Sequence, residues 1–272
     1  MRRGWGSSIF PHQPPGERPS IPTRVIKWGD VRRTTFLSAA VWIFLHCATM
    51  IAPCHGQSFS DFTASLPLTP GSTLVIGFLG GWERWDDPHR GVRKLAIELR
   101  GIRGVCAETV SNHRQSLALA LIRAAFDWNH NGHLDPDERA GARIILYGQS
   151  LGGAAAVKLA RKLQALDIPV LLTVQVDSVG RDDALIPANV AAAANLFQHD
   201  GPPIMGRARI RAEDPSHTRI LGNFQYRYWF KNVDISSATW ARKHLGGAHA
   251  RMELDPRVWA QVERLIRQAI PQ

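Results

Sequence analysis

Short apolar runs alternate along this chain with longer stretches whose apolar positions recur every three or four residues. Thr73 to Phe78, Gly104 to Val110, Ile144 to Tyr147, Val170 to Val176 and Arg219 to Tyr228 read as strands. Pro88 to Leu99, Gln115 to Trp128, Gly153 to Leu166, Pro187 to Phe197 and Pro256 to Ala269 read as helices. That order predicts an α/β fold, a mostly parallel sheet with helices on both faces, where ligands bind beyond the carboxyl ends of the strands. No internal repeat is visible, and there is room for only a small lid.

The first part of the chain does not share this pattern. Residues 1 to 30 are rich in Pro, Gly and Arg without apolar periodicity, a composition expected to be disordered. Arg32-Arg33 then precede the apolar run Phe36 to Ala52, followed by the breakers Pro53 and Gly56, which reads as a secretory signal cleaved near Gly56-Gln57. The pair resembles a twin-arginine signal only in part, and Cys54 lies in a poor lipoprotein context; translation starting near Val31 would account for the long extension. The expected organisation is a leader over 1–56 and one domain over 57–272, exported to the periplasm or secreted. An uncleaved N-terminal membrane anchor is the alternative, because the run sits at the lower limit for spanning a bilayer.

Charge and cysteine content change with the leader. The 272 residues carry +10, but removing 1–56 takes away seven of 33 basic and two of 23 acidic residues and leaves +5. Those cations are scattered rather than clustered with aromatics, so nucleic acid is not an expected partner, whereas transient contact with a membrane surface is compatible with mild basicity. Cys47 and Cys54 go with the leader, leaving Cys106 alone in an apolar stretch and expected in the core.

Chemistry enters at Tyr147-Gly-Gln-Ser150-Leu-Gly-Gly153, where GxSxG joins a strand to a helix. A serine hydroxyl is a weak nucleophile near neutrality and needs an exposed turn, a neighbouring base and amide donors for the developing oxyanion. Gly148 and Gly152 allow the tight approach of strand and helix. Asp177, at the end of the next strand, is the expected acid; an Asx-turn is its bland role, and Asp182 and Asp183 are rivals. His249, in a glycine-rich loop before the last helix, is the preferred base, with His244 the rival and His217 read as a surface residue. Trp82 and Trp85 are candidates for walling an apolar acyl site, or for ordinary packing against the sheet.

Taken together, Gly77-Phe-Leu-Gly-Gly81, the Ser150 motif and the late His249 resemble the α/β-hydrolase superfamily, in particular small lipase- or esterase-like members, over residues 70 to 270. The resemblance implies a Ser150-His249-Asp177 triad acting through an acyl-enzyme on a small-molecule or lipid ester, without an organic cofactor. It also implies oxyanion donors at the backbone amides of Leu151 and of Phe78, or Leu79. Ile76-Gly77 stands where many members have His-Gly, and Gln149 where many have His.

A second motif, Asp127-Trp-Asn129-His-Asn131-Gly132-His133-Leu-Asp135-Pro-Asp137-Glu138, fits the EF-hand spacing DxNxNGxxxxxE. Calcium prefers six to eight oxygens. Here the side chains of Asp127, Asn129, Asn131 and Glu138 and the carbonyl of His133 would supply them, with Asp135 direct or through water. A polar connector without an ion is the alternative reading. His130 and His133 are poorly placed for a zinc site with Cys106. The sequence therefore predicts an exported serine hydrolase with a structural calcium site; a non-catalytic calcium-binding interaction protein on the same scaffold is the second class.

Overall fold

A computed structural model describes residues 56–200, 204–229, 232–236 and 247–271. Residues 1–55 of the expected leader, including the apolar run, and His244 lie outside them. Among the described residues no helix is long and apolar enough to cross a membrane.

Six strands form one parallel sheet in the order β2-β1-β3-β4-β6-β8. They are β1 (Thr73–Phe78), β2 (Val105–Val110), β3 (Arg143–Gln149), β4 (Val170–Val176), β6 (Val190–Gln198) and β8 (Arg219–Tyr226). The short strands β5 (Leu185–Ile186) and β7 (Arg211–Ala212) pair separately. The helices are α1 (Gly91–Leu99), α2 (Gln115–Phe126), α3 (Pro136–Gly141), α4 (Leu151–Gln164), α5 (Gly247–Leu254) and α6 (Pro256–Ala269).

The central strands β1, β3 and β4 are buried on both sides because both sides are covered, as a parallel sheet requires, whereas β8 at the edge stays partly exposed. Leu74, Ile76, Phe78, Ile144 and Leu146 pack with α2 and α4 residues such as Leu121, Ile122, Val157 and Leu159. Their strand neighbours Val75, Ile145 and Tyr147 join Leu172, Val174 and Val176 against Leu95 and Leu99 of α1 and Val258, Val262 and Ile266 of α6. Tyr147 is fully buried, and its hydroxyl donates to the Val92 carbonyl at 2.7 Å, which ties α1 to the sheet and satisfies the polar end of the ring. Cys106 is half-buried on β2, where burial first and the Glu108 carboxylate second push its thiol up to about 12.

One predicted element is wrong. Residues 187–197, expected as a helix, lie mostly in strand β6, between β4 and β8. Alanine is the best helix former, and the run Ala191 to Ala194 gave that expectation its weight. The register of Ala192, Ala193 and Ala194 against Leu172, Thr173 and Val174 decides otherwise, with Ala193 and Ala194 wholly buried. Helix ends also shift: α1 begins at Gly91, α2 stops at Phe126, and α4 starts directly after the serine.

Strand order fixes where a ligand site belongs. From β1 the chain passes to β2 on one side and then crosses to β3 on the other, so β1 and β3 flank the point at which the order reverses, where α/β sheets open a crevice at their carboxyl edge. The β3–α4 turn fits there only because two side chains are missing. A Cβ on Gly148 would lie 2.3 Å from Gly152 O, and one on Gly152 would lie 2.0 Å from Phe78 O. Gly152→Ala should therefore cost about 1–3 kcal/mol through overpacking. Its thermal midpoint should fall by about 3–10 °C in calorimetry; an unchanged midpoint would contradict this close approach.

Candidate active site

Ser150 occupies the junction of β3 and α4 with φ 58° and ψ −125°, a left-handed backbone that a residue with a Cβ adopts at a cost of about 1–3 kcal/mol. Hydrogen bonds hold it there. Its N–H donates to Val176 O at 2.9 Å, and its carbonyl accepts from Gly153 N at 3.1 Å and Val179 N at 3.3 Å. The side chain is left at the carboxyl edge with 8% of the residue exposed. Leu151 is the first residue of α4, so its N–H points out of the helix with no intrahelical carbonyl to meet, at the positive end of the dipole.

One strand along, Asp177 follows β4 with φ 43° and is completely buried. A buried carboxylate needs donors. Oδ1 accepts from Gln198 N at 3.1 Å and Gly206 N at 2.9 Å; Oδ2 accepts from Gln198 Nε2 at 2.9 Å and meets His249 Nδ1 at 2.6 Å. Gly206 is required here, since a Cβ would sit 2.1 Å from Asp177 Oδ1. The carboxylate fixes the ring: His249 carries its hydrogen on Nδ1 and leaves Nε2 as an acceptor.

The acid and base expected from the sequence are thus brought together, but the nucleophile is not hydrogen-bonded to the base. His249 Nε2 instead lies 3.2 Å from Gln149 Nε2, the residue before the serine. His249 also stands in the first turn of helix α5 rather than in a loop. That helix is held through Glu253, which lies 3.4 Å from the buried Arg90; Arg90 in turn donates to Asp87 at 2.9 Å. Burial opposes the charge on Arg90, yet the carboxylates of Glu253, Glu83 and Asp87 raise its pKa overall.

The rival residues have other work. Asp183 accepts from Ser178 Oγ, Gly180 N and Arg207 Nε at 2.6, 3.1 and 3.0 Å, which clamps the loop after Asp177. Asp182 is an exposed residue at φ 59°, and His217 pairs with Asp214 on the surface at 2.8 Å. Of the two residues expected to supply a second oxyanion amide, Phe78 ends the β1 ladder in register with Val110 and Gly148, and Leu79 N is committed to Val110 O at 3.1 Å. The next amide, Gly80 N, donates to Glu83 Oε2 at 2.9 Å, while Gly80 O accepts from Asn112. Trp82 is fully exposed with φ 54°, whereas Trp85 is partly buried with Arg93 over its ring at 5.6 Å.

Gln198 and Gly206 were not anticipated. The signal for Gln198 was its place on β6: Leu196 pairs with Val176, so the residue two positions later reaches the acid beyond β4. Reading the segment as a helix hid it.

The loop over 127–138 is built around its oxygens. Asp127 accepts from Asn131 N and Gly132 N at 3.0 and 2.9 Å, Asn129 Oδ1 from Asn131 N at 3.0 Å, and Asn131 Oδ1 from His133 N at 3.0 Å. Buried Glu138 accepts from Trp128 N, Asn129 N and Asp135 N at 2.8, 3.1 and 2.9 Å. The carboxamides of Asn129 and Asn131 both donate to Asp135 Oδ2, at 2.7 and 2.9 Å. Trp128 anchors the loop by donating to Leu68 O at 2.8 Å, and α3 leads straight into β3. The donor set is all hard oxygen, as calcium requires, and Gly132 takes the turn at φ 86°.

Neither the scan against family models nor the search of curated proteins returns a match to this chain.

The helix pair bearing His249 has an acid-sensitive joint. Burial raises the pKa of Asp255, but hydrogen bonds from Arg257 and Tyr228 outweigh it, and the net value lies below the ordinary aspartate range. A depressed carboxylate stabilises the fold above its unfolded pKa, near about 4, and loses that contribution as pH falls through the folded value. Asp255→Asn should lower stability at pH 7 and flatten the fall in denaturant midpoint below about pH 4. An identical acid limb in both proteins would remove Asp255 from this role.

Proposed function

We propose that the protein is an exported serine hydrolase of the α/β-hydrolase type, acting on carboxylic esters through Ser150, His249 and Asp177. The observation that carries this reading is the buried Asp177–His249 pair at 2.6 Å beside a serine held in left-handed geometry at the switch point of the sheet. Ser150 Oγ attacks the acyl carbon while its proton passes to His249 Nε2; the carbonyl electrons move to the oxygen, which the Leu151 amide receives beside the loop after β1, where Leu79 N already donates to Val110 O and Gly80 N to Glu83. Asp177 keeps the imidazole in the required tautomer and stabilises its charged form. His249 then returns the proton to the leaving alkoxide, and water, activated by the same nitrogen, releases the acyl group.

Exposed apolar side chains favour an apolar ester, a lipid included. Trp82, Leu151, Met205 and Trp229 come from the segments after β1, β3, β6 and β8, which share the carboxyl edge with the serine. A Cβ on Gly81 would lie 3.1 Å from Leu151 Cδ1, so two of these segments meet.

Asp127, Asn129, Asn131, Glu138 and the carbonyl of His133 would hold calcium, with Asp135 beside them. A bound divalent cation would offset the charge of the carboxylates in this loop and brace the approach to β3. Export would place the protein where calcium is available. Substrate binding is assigned to the carboxyl edge and not to this loop.

A second reading, a calcium-binding interaction protein without catalysis, draws on the Gln149–His249 contact in place of a Ser150–His249 bond. Active-site labelling separates the two. A fluorophosphonate should label the purified protein and not Ser150→Ala, and Asp177→Asn should slow ester turnover by roughly ten-thousandfold and also lower the thermal midpoint, because its NH2 would face donors. Equal labelling of wild type and Ser150→Ala would refute the nucleophile. For the cation, about 10 mM calcium acting on a site of ~0.1–1 mM affinity should raise the thermal midpoint by roughly 3–10 °C over a chelated sample. The rise should vanish in Glu138→Gln; no rise in the wild type would reject the site.

A further inference from the structure

Gln149 is 1% exposed, and its carboxamide is divided between two parts of the active site. Nε2 faces His249 Nε2 at 3.2 Å, while Oε1 is buried without a hydrogen-bond partner. The orientation follows from Asp177. Since that carboxylate takes the Nδ1 hydrogen, His249 Nε2 is an acceptor, and only the NH2 end of the carboxamide can face it. Oε1 is then forced toward Gly80 in the loop after β1, where a Cβ would lie 2.6 Å from it.

We propose, on the hydrolase reading above, that Gln149 is a latch on the base. In the resting protein it donates to His249 Nε2, and Ser150 becomes reactive only when that bond is exchanged for one from its own hydroxyl. Imidazole Nε2 has a single lone pair, so the two donors compete for it. Oε1 connects the exchange to substrate. It rests against Gly80, in the loop beside the position assigned to the acyl oxygen, so a substrate settling there displaces the carboxamide. The orphaned oxygen makes the latched arrangement less favourable than a fully paired one, which keeps release within reach of ordinary substrate binding. Gln149 is thus a positioning residue that acts through His249.

Gln149→Met keeps the length and volume of the side chain and removes the donor. Loss of one hydrogen bond to the base should raise the second-order rate of fluorophosphonate labelling about fivefold. Nitrogen-15 NMR of His249 supplies a readout that packing alone would not move. The Nε2 resonance should shift in Gln149→Met and stay in place in Ser150→Ala, because in the resting protein its partner is Gln149. A resonance that follows Ser150→Ala, or a labelling rate unchanged or lowered in Gln149→Met, overturns the latch. If Gln149→Met fails to fold, the Ser150→Ala spectrum alone still decides which residue holds Nε2. Labelling of the wild type at Ser150 without acceleration in Gln149→Met rejects the latch and leaves the hydrolase reading intact. No labelling of either protein rejects both.

Discussion

A carboxylate with no exposure has to be met by donors, and at Asp177 this requirement organises the carboxyl edge of the sheet. Four hydrogen bonds reach it, from Gln198 backbone and side chain, Gly206 and His249. Meeting it commits β6 to lie beside β4, the chain beyond β6 to return with a glycine at 206, and α5 to present its first turn inward. The Arg90–Glu253 contact then closes α5 against the N-terminus of α1. Removing any one donor leaves charge buried and under-paired, which costs more than the lost bond itself would in water.

Backbone strain sits next to this carboxylate. Ser150 and Asp177 both have positive φ, at the ends of neighbouring strands, where neither has glycine's freedom. Each is pinned by the adjacent strand, Ser150 N to Val176 O and Asp177 N to Leu196 O at 2.7 Å. The ladder therefore runs one residue beyond the regular strands and turns each side chain out of the sheet. Sheet pairing that continues into the turn is what holds the strained geometry, and the close contacts at Gly148 and Gly152 let α4 begin immediately after it.

The elements legible in the sequence are those whose burial is simple. β4 and α6 match their expected bounds, because one carries Val170, Leu172, Val174 and Val176 on a single face and the other has an apolar stripe behind Asp255-Pro256. Polar Arg143 and Gln149 concealed the ends of β3, and alanines concealed β6 because propensity outweighed a pairing that only the sheet supplies. The short helix α5 gave no period: Ala248, His249, Ala250, Met252 and Glu253 are all buried, so no polar face marks it. Candidates for serine, acid and base could be chosen from strand order. The partners of the acid could not, since Gln198 and Gly206 reach Asp177 through a neighbouring strand and a returning loop.

The site also shows why a motif residue and its neighbour cannot be considered apart. The geometry that turns Ser150 outward at the end of β3 leaves Gln149 turned in, toward the same imidazole. With Nδ1 committed to Asp177, the nitrogen that on the proposed function activates the serine is also the nitrogen that can satisfy the buried carboxamide. On the proposed function, a structural hydrogen bond and a chemical one thus compete at the last residue of β3 and the turn residue that follows it. The orphaned Oε1 beside Gly80 is the remaining mismatch of that arrangement, and it places the conflict at the loop after β1, next to the turn that carries Ser150.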